Sequence, residues 1–166
     1  MHTSTTESIL QWPHFDVFPS LRHDYVSIFQ LEQSRPPFRT RNTSMYPYVS
    51  AKDVDGILDS FEHAVNFWYP TLSRGQLDRV RVTMTTGGFD DDGAAGCLAL
   101  LTMALGCASQ VTSGLTVGAD LGEEEGKRRA ASRAMGDMYF DSAVRKLHVA
   151  HMDVSATATH CLFFIA

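Results

Sequence analysis

The chain has 166 residues, a length that corresponds to one domain with one hydrophobic core. Apolar residues make up 44% of the sequence and charged residues 20%, which are ordinary values for a globular protein and exclude disorder along the whole chain. The formal net charge of -5 argues against a protein that grips nucleic acid by itself, because phosphate binding needs a positively charged surface.

Residues 1–45 are predicted to form a flexible N-terminal segment and linker with a Trp-Pro hydrophobic patch. The residues of this patch are Ile9, Leu10, Trp12, Phe15, Val17 and Phe18. Pro13 and Pro19 interrupt any helix there, and such a segment usually lies across a hydrophobic groove of its own domain. A short helix is possible over 24–32, and a polar linker that contains prolines follows over 34–44.

A domain spanning residues 46–166 is predicted to follow, with regular structure beginning near Ser50. Ser50 and Asp53 resemble a capping box in which Asp replaces the usual Glu or Gln. Pro70 ends the helix. The apolar residues between them recur every three or four positions and share one helical face: Val54, Ile57, Leu58, Phe61, Val65 and Trp68.

Two further helices are predicted in the middle of the chain. Ser73–Gln76 indicates the start of one that ends at Gly87–Gly88; Arg79–Thr85 alternates with the period of a strand, but no partner strand lies nearby, so helix is favoured. Asp92–Ser109 has no charge after its first residue, which predicts a helix that is buried on every side. Asp90–Asp92 is expected to supply its N-cap.

The uncharged window Gly93–Ala119 raises the alternative of a membrane span. Its strongly apolar part has about 15 residues, fewer than the roughly 20 that a bilayer requires. Polar residues follow Ala108. We therefore predict a core helix and no membrane contact.

Residues 110–126 are predicted to be an exposed loop, and a long helix is predicted to begin between Glu123 and Arg128. Ser155 is expected to cap a last helix, Ala156–Ala166. The fold predicted overall is all-α, an irregular helical array that is an incomplete part of a larger α-helical domain, because a helix that is apolar all round needs many neighbours. The residues of the long helix that are expected to face the core are Ala131, Met135, Met138, Tyr139, Ser142, Val144 and Leu147.

Three cysteines, Cys97, Cys107 and Cys161, lie within apolar runs, and no pair has the short spacing of a zinc site. An odd number of thiols without a secretion signal predicts buried free cysteines in a reducing compartment. Cys107 with His148 or His151 could be imagined as a nucleophile and its base. The position of Cys107 in an apolar helical run favours core packing instead.

His148, His151 and Asp153 come nearest to a metal-binding set, since residues three apart share a helical face. Two histidines do not make a site, and Val149 stands where a zinc protease has a glutamate. We expect these histidines to lie at a helix end, near the negative pole of its dipole.

Two other patterns are also expected to be structural. Asp90–Asp92 with Gly93 resembles the start of a calcium loop, but the twelfth position is Leu101 and not glutamate. Gly93, Gly96 and Gly106 are spaced for close helix contact and do not match a phosphate-binding motif. No catalytic, cofactor-binding or metal-binding residue is therefore predicted, no cofactor is expected, and the chain is not expected to be an enzyme.

Two short basic groups are predicted to be solvated surface: Arg35, Arg39 and Arg41, and Lys127, Arg128 and Arg129.

Five short blocks, taken in order, resemble the middle homology region of fungal zinc-cluster transcription factors. Each block is an apolar or aromatic pattern that is weak alone, and the order and spacing of the set make the resemblance specific. The blocks are Ile9–Phe15, Asp59–Leu77, Gly96–Ala108, Met138–Leu147 and Thr159–Ala166.

The resemblance implies an all-α regulatory domain that modulates a transcriptional activator, through an effector or through self-association, and a nuclear location. Two features depart from the family. The six-cysteine zinc cluster is missing, so no zinc binding or DNA reading by that module is expected. Only the first third of the family's domain is matched, which implies that the partner of this chain is the remainder of its own regulatory domain or another protein.

Two alternatives belong to other classes. The first is a small helical protein-protein interaction module with an exposed groove. The second is a helical protein that binds or converts a small molecule, which would require a closed pocket with converging polar groups.

Overall fold

The computed structural model of the chain describes residues 5–20, 26, 28–35, 49–88, 93–113 and 122–166. Every regular element in these ranges is helical, which confirms the predicted all-α class. The chain divides into two compact units, residues 1–40 and 41–166.

The described part of the first unit includes two short helices and one turn of 3-10 helix. Helix α1 is Thr5–Leu10, the 3-10 turn is Pro13–Phe15, and helix α2 is Ile28–Ser34. Pro13 occupies the first position of its turn, where the missing N–H of proline costs nothing. The predicted helix over 24–32 overlaps α2, and most of the predicted linker lies outside the described residues.

The second unit is an array of helices around one central, apolar helix. Its elements are α3 (Ala51–Phe61), a π-helical turn (Glu62–Asn66), α4 (Arg74–Thr85), α5 (Ala94–Thr112), α6 (Glu123–Met152) and α7 (Ala156–Ile165). Helix α5 packs against α3, α4, α6 and α7, and α6 also packs against α7. The core of the unit is therefore built on α5.

Helix α3 begins as predicted. The hydroxyl of Ser50 accepts a hydrogen bond from the backbone N–H of Asp53 (3.2 Å), and the Asp53 carboxylate accepts one from the backbone N–H of Ser50 (3.2 Å). This closes a capping box in which Asp does the work of Glu. The predicted core face is confirmed for the residues that the structure buries: Val54, Ile57, Leu58 and Phe61.

The prediction that Trp68 lies on this face is wrong, since 71% of its surface is exposed. The cause is the π-helical turn, in which the N–H of Phe67 donates to the carbonyl of Glu62, five residues back (2.8 Å). A π-turn accommodates one extra residue and rotates everything after it around the helix axis. Val65 still packs on the core, and Trp68 is turned away from it.

Helix α4 confirms the helical alternative for residues 79–85. Ser73 and Gln76 form a capping box at its start. The buried residues Leu77, Val80 and Met84 are spaced three and four apart, so the alternation in the sequence is a by-product of the helical face. The chain leaves the helix through Gly87, whose φ of 75° lies in the left-handed region that glycine adopts at low cost.

Helix α5 confirms the prediction of a helix that is buried on nearly every side. It extends three residues beyond the predicted end, to Thr112, and Gly93 takes its N-cap position without a side-chain hydrogen bond. Asp90–Asp92, predicted to cap it, lie outside the described residues. The helix is long and apolar enough to cross a bilayer, with a mean hydropathy of 1.6, and 72% of its apolar window is buried within the protein.

Close approach of backbones explains how so many neighbours reach α5. A methyl group on Gly106 would lie 2.6 Å from Cγ2 of Ile57 on α3, so only glycine fits at this crossing. On α6, a methyl group at Gly136 would lie 3.0 Å from Cβ of Cys107. The predicted role of Gly106 in close helix contact is thereby confirmed.

The predicted core face of α6 is right in part. Tyr139 is buried, and Met135 and Leu147 are half-buried and pack against the core, as predicted. Met138, Ser142 and Val144 are half-buried, and the prediction is wrong for Ala131, which is exposed. The buried residues are Tyr139, Ala143, Lys146 and Ala150. Alanines allow α6 to approach α5 closely, and Lys146 contributes its long apolar stem to the same stripe.

Helix α7 starts where predicted, with the Ser155 hydroxyl accepting a hydrogen bond from the backbone N–H of Ala158 (3.1 Å). Only Ala158 and Cys161 are buried on this helix. The side chain of Phe163 is 56% exposed. The apolar run at the end of the described chain is thus covered on one face and open on the other.

Candidate functional site

An apolar groove runs along the outer side of α5 and is the clearest candidate site in the second unit. It encloses about 320 Å³ between α5, α6 and the end of α7. Its lining residues are Leu101, Ala104, Leu105, Ala108, Val111 and Thr112 from α5, Arg133, Gly136, Asp137 and Phe140 from α6, and Phe164 from α7.

The groove exists because small side chains lie where larger ones would fill the space between α5 and α6. Ala104, Ala108 and Gly136 provide little bulk, so a furrow remains between the larger side chains of Leu105 and Phe140. The α5 residues that line it extend over three turns, about 16 Å along the helix axis. A furrow of this length and apolar character suits the apolar face of an amphipathic helix.

Phe164 connects the groove to the aromatic core. Its ring meets that of Phe61 edge-on, with centroids 5.8 Å apart and an interplanar angle of 71°. The centroid of the Phe163 ring lies 6.0 Å from that of Phe164. One wall of the groove is therefore held by an aromatic contact to α3, and an exposed aromatic ring stands beside it.

A second surface feature is the aromatic turn, defined as Phe67, Trp68 and Tyr69, which follows the π-turn. All three side chains are more than 60% exposed, and the rings of Phe67 and Trp68 meet edge-on at 5.1 Å. Asn66 holds the turn in place: its Nδ2 donates to the Leu72 carbonyl (2.8 Å) and its Oδ1 accepts from the Leu72 N–H (2.9 Å). The turn presents three aromatic side chains on a fixed backbone.

Arg129 is placed differently from the solvated surface that was predicted for Lys127–Arg129. Its side chain is only 11% exposed. It donates hydrogen bonds to the carbonyl oxygens of Val111 (3.0 Å) and Ser113 (2.9 Å), and to the Glu125 carboxylate (2.7 Å). A cation at the end of α5 satisfies carbonyls that have no partner within the helix and opposes the negative pole of its dipole.

Glu125 also pairs with Arg128 through two hydrogen bonds of 2.9 Å each. The hydrogen bonds from Arg128 and Arg129 lower the pKa of Glu125 from 4.5 to about 2. Because the folded-state pKa is depressed, the carboxylate stabilises the fold above pH 4.5, and this contribution is lost as the pH falls toward 2.

We expect Glu125→Gln to flatten the acid side of the stability profile. The measurement is the midpoint of urea unfolding at a series of pH values between 4.5 and 2, the window set by this pKa shift. Glu124→Gln is the matched control, because the Glu124 carboxylate is exposed and its ion pair among the described residues is the one with Lys127, at 3.5 Å. Equal slopes for both variants would contradict the assigned role of Glu125.

The structure does not bring Cys107 and the two histidines together. Gly136 is the point of α6 that faces Cys107, and His148 lies twelve residues further on, about 18 Å along the helix. Cys107 is buried, and desolvation raises the pKa of its thiol to about 12. It therefore stays protonated at neutral pH, which supports the prediction of core packing.

His148 and His151 lie in the last turns of α6, as expected, and both are exposed. Nδ1 of His148 is 2.9 Å from the carbonyl oxygen of Arg145, and the Asp153 carboxylate accepts a hydrogen bond from the Ser155 hydroxyl (2.8 Å). Within the described ranges, no group of three or more His, Cys, Asp or Glu side chains is arranged to hold a metal ion. The calcium-like Asp90–Asp92 lies outside those ranges.

Two buried polar atoms have no hydrogen-bond partner among the described residues: the hydroxyl oxygen of Tyr139 on α6 and Nδ1 of His160 on α7. Desolvation raises the pKa of Tyr139 above the ordinary value for tyrosine. None of the cavities described above includes it. It packs as an apolar ring in the core.

Comparison with known proteins gave no match to a family description, to a curated protein or to a solved structure. The resemblance to fungal transcription factors therefore stays a prediction from the sequence.

Proposed function

We propose that this chain is the first part of an all-α regulatory domain of the type found in fungal zinc-cluster transcription factors. In this proposal it modulates transcription in the nucleus and makes no direct contact with nucleic acid. The order of the five sequence blocks supplies the class of protein. The observation that carries the proposal is the apolar groove between α5 and α6, because it gives the domain a surface through which to bind another helix.

The groove lacks the converging polar groups that catalysis requires. Eight of its eleven lining residues are apolar or glycine, and its charged residues, Arg133 and Asp137, both lie on α6. Substrate chemistry needs polar groups that converge on a reacting atom, and this lining offers none. Apolar surface of this kind is stabilised when a second apolar surface covers it. We assign the groove to a helix from the remainder of the same regulatory domain.

The test is a reporter assay in yeast. The chain, with any coding sequence that follows it in its gene, is placed between a heterologous DNA-binding module and an activation segment. We expect reporter output to change several-fold relative to the fusion that lacks the domain. Ala108→Glu, which puts a charge into the groove, should abolish that change.

Ala131→Glu is the matched control, because Ala131 is exposed on α6 and does not line the groove. Circular dichroism of both variants checks that they are folded. An output that is the same with and without the domain would sink the transcriptional proposal. Equal effects of the two glutamates would show that the groove is not the working surface.

The aromatic turn favours a second candidate function, a helical protein-protein interaction module. Interfaces are enriched in aromatic side chains that are held on a rigid backbone, because little conformational entropy is lost on binding. Under this alternative, Trp68→Ala abolishes partner binding, and Ala108→Glu does not. Under the regulatory proposal, Ala108→Glu abolishes the effect of the domain, and Trp68→Ala does not.

A further inference from the structure

Two thiol hydrogen bonds join helices α5, α6 and α7. The thiol of Cys161 donates to the carbonyl oxygen of Ala94 on α5 (3.4 Å), and the thiol of Cys97 donates to the carbonyl oxygen of Ala143 on α6 (3.5 Å). Both sulfur-bearing side chains are completely buried.

The same contacts place the two sulfurs side by side. A helix carbonyl points along the axis toward the next turn, and Cys97 lies three residues after Ala94, on that turn. Cys161, bound to the Ala94 carbonyl, therefore sits next to Cys97. The single proton of the Cys161 thiol can turn from the Ala94 carbonyl to the Cys97 sulfur when that sulfur is ionised.

The surroundings make the two thiols unequal. The hydrogen bond from Cys161 and the positive charge of Lys146 lower the pKa of Cys97, although burial opposes them. The same hydrogen bond, together with burial, raises the pKa of Cys161. Cys97 is thus the sulfur that ionises, and Cys161 is the sulfur that keeps its proton. Cys107 has no thiol neighbour in the described structure and is protonated at neutral pH.

We propose that Cys97 and Cys161 are a redox-sensitive pair, which hydrogen peroxide converts into an intramolecular disulfide between α5 and α7. Nothing in this inference rests on the proposed transcriptional role.

The reaction balances in two steps. The Cys97 thiolate attacks one peroxide oxygen, so that an S–O bond forms, the O–O bond breaks, and hydroxide leaves and takes up the proton that Cys97 released. The product is a sulfenic acid at Cys97. The Cys161 sulfur then attacks the Cys97 sulfur, so that the S–S bond forms, the S–O bond breaks, and the hydroxyl leaves with the Cys161 proton as water. Two thiols lose two electrons, and one peroxide becomes two waters.

Peroxide reaches the pair when α7 opens locally. The helix is short and has only two buried residues, Ala158 and Cys161, so it belongs to the part of the unit that is easiest to open. Oxidation then closes a loop of about 65 residues, which restricts the unfolded chain and stabilises the fold. It also fixes α7, and with it the Phe164 wall of the groove.

The experiment treats the full reduced chain with hydrogen peroxide under native conditions, blocks the remaining thiols with iodoacetamide in denaturant, and maps the peptides by mass spectrometry. We expect one peptide pair linked through Cys97 and Cys161, with an intact mass lower by two hydrogens and restored by dithiothreitol. Cys107→Ala should behave like the unmodified protein. Cys161→Ala should give no linked peptide, and Cys97 should oxidise more slowly in it, because the variant lacks the hydrogen bond that lowers the Cys97 pKa.

Mapping of the unmodified chain decides the matter even if a variant folds poorly. The pair is refuted if native peroxide treatment leaves Cys97 and Cys161 unlinked, or oxidises Cys107 as fast as Cys97. A second readout is the midpoint of urea unfolding, which should rise on oxidation of the unmodified chain and of Cys107→Ala. An unchanged midpoint in a chain that carries the link would contradict the proposed attachment of α7.

Discussion

Replacement of Phe61 by alanine is expected to lower the free energy of unfolding by about 3 to 5 kcal/mol. The side chain is completely buried at the end of α3 and packs edge-on against Phe164. Its removal forfeits the transfer free energy of the ring and leaves a cavity that the surrounding helices fill only in part. The measurement is urea unfolding followed by circular dichroism.

Phe67→Ala is the matched control, because the same atoms are removed six residues along the chain. Its side chain is 70% exposed, so a change within about 0.5 kcal/mol is expected. Comparable losses for the two variants would contradict the exposed position of Phe67 in the aromatic turn. The pair therefore tests whether the core ends before the aromatic turn, and not only whether the core tolerates a cavity.

The residues at the end of α3 show how far the sequence could predict the core face of this helix. The spacing of Val54, Ile57 and Phe61 identified the buried face correctly, because the pattern follows the period of an α-helix. Trp68 continues the same spacing, which therefore predicts it on the core face, where the structure does not place it. A fixed helical period cannot predict a π-turn, because no side-chain pattern marks the extra residue.

Helix α6 illustrates a different limit. Hydrophobicity predicts Met135 and Leu147 as core residues, and both pack against the core while half-buried. The fully buried positions include Ala143 and Lys146, which hydrophobicity does not single out. Burial here follows from how closely α6 approaches α5, which is decided by small side chains on both helices. Hydrophobicity alone does not record which face of a helix comes closest to its neighbour.

The groove and the contacts of Arg129 at the end of α5 could not be predicted from the sequence. Each depends on residues that are far apart in the chain: Arg129 donates to the carbonyls of Val111 and Ser113, 18 and 16 residues before it. Local spacing predicts only the Glu125–Arg129 pair, which is an i, i+4 contact on one helix. Its second role required knowledge of where α5 ends in space.

The fold leaves part of its apolar surface open. Helices α3, α4, α6 and α7 together cover most of α5. What stays uncovered among the described residues of the second unit includes the groove, the outer face of α7 with Phe163, and the aromatic turn. The proposal of a further helix from the same domain therefore addresses a defined surface.

Replacement of Gly106 by alanine is expected to cost about 3 kcal/mol of stability, the upper end for overpacking of a core. The added methyl group would meet the carbonyl oxygen and Cγ2 of Ile57, the latter at 2.6 Å. Backbone atoms cannot move aside as the end of a flexible side chain can, so α3 and α5 would have to separate. The measurement is again urea unfolding, with the midpoint and slope fitted together.

Gly56→Ala supplies the control within the neighbouring helix. Nothing lies within 4 Å of a methyl group placed there, and Gly56 sits in the middle of α3. Alanine should therefore stabilise the protein by about 0.5 to 1 kcal/mol, because it restricts the unfolded chain and favours helix. The same chemical change is thus expected to act in opposite directions at two glycines 50 residues apart. A gain at both would show that α3 and α5 do not cross in backbone contact, and the central position of α5 would have to be reconsidered.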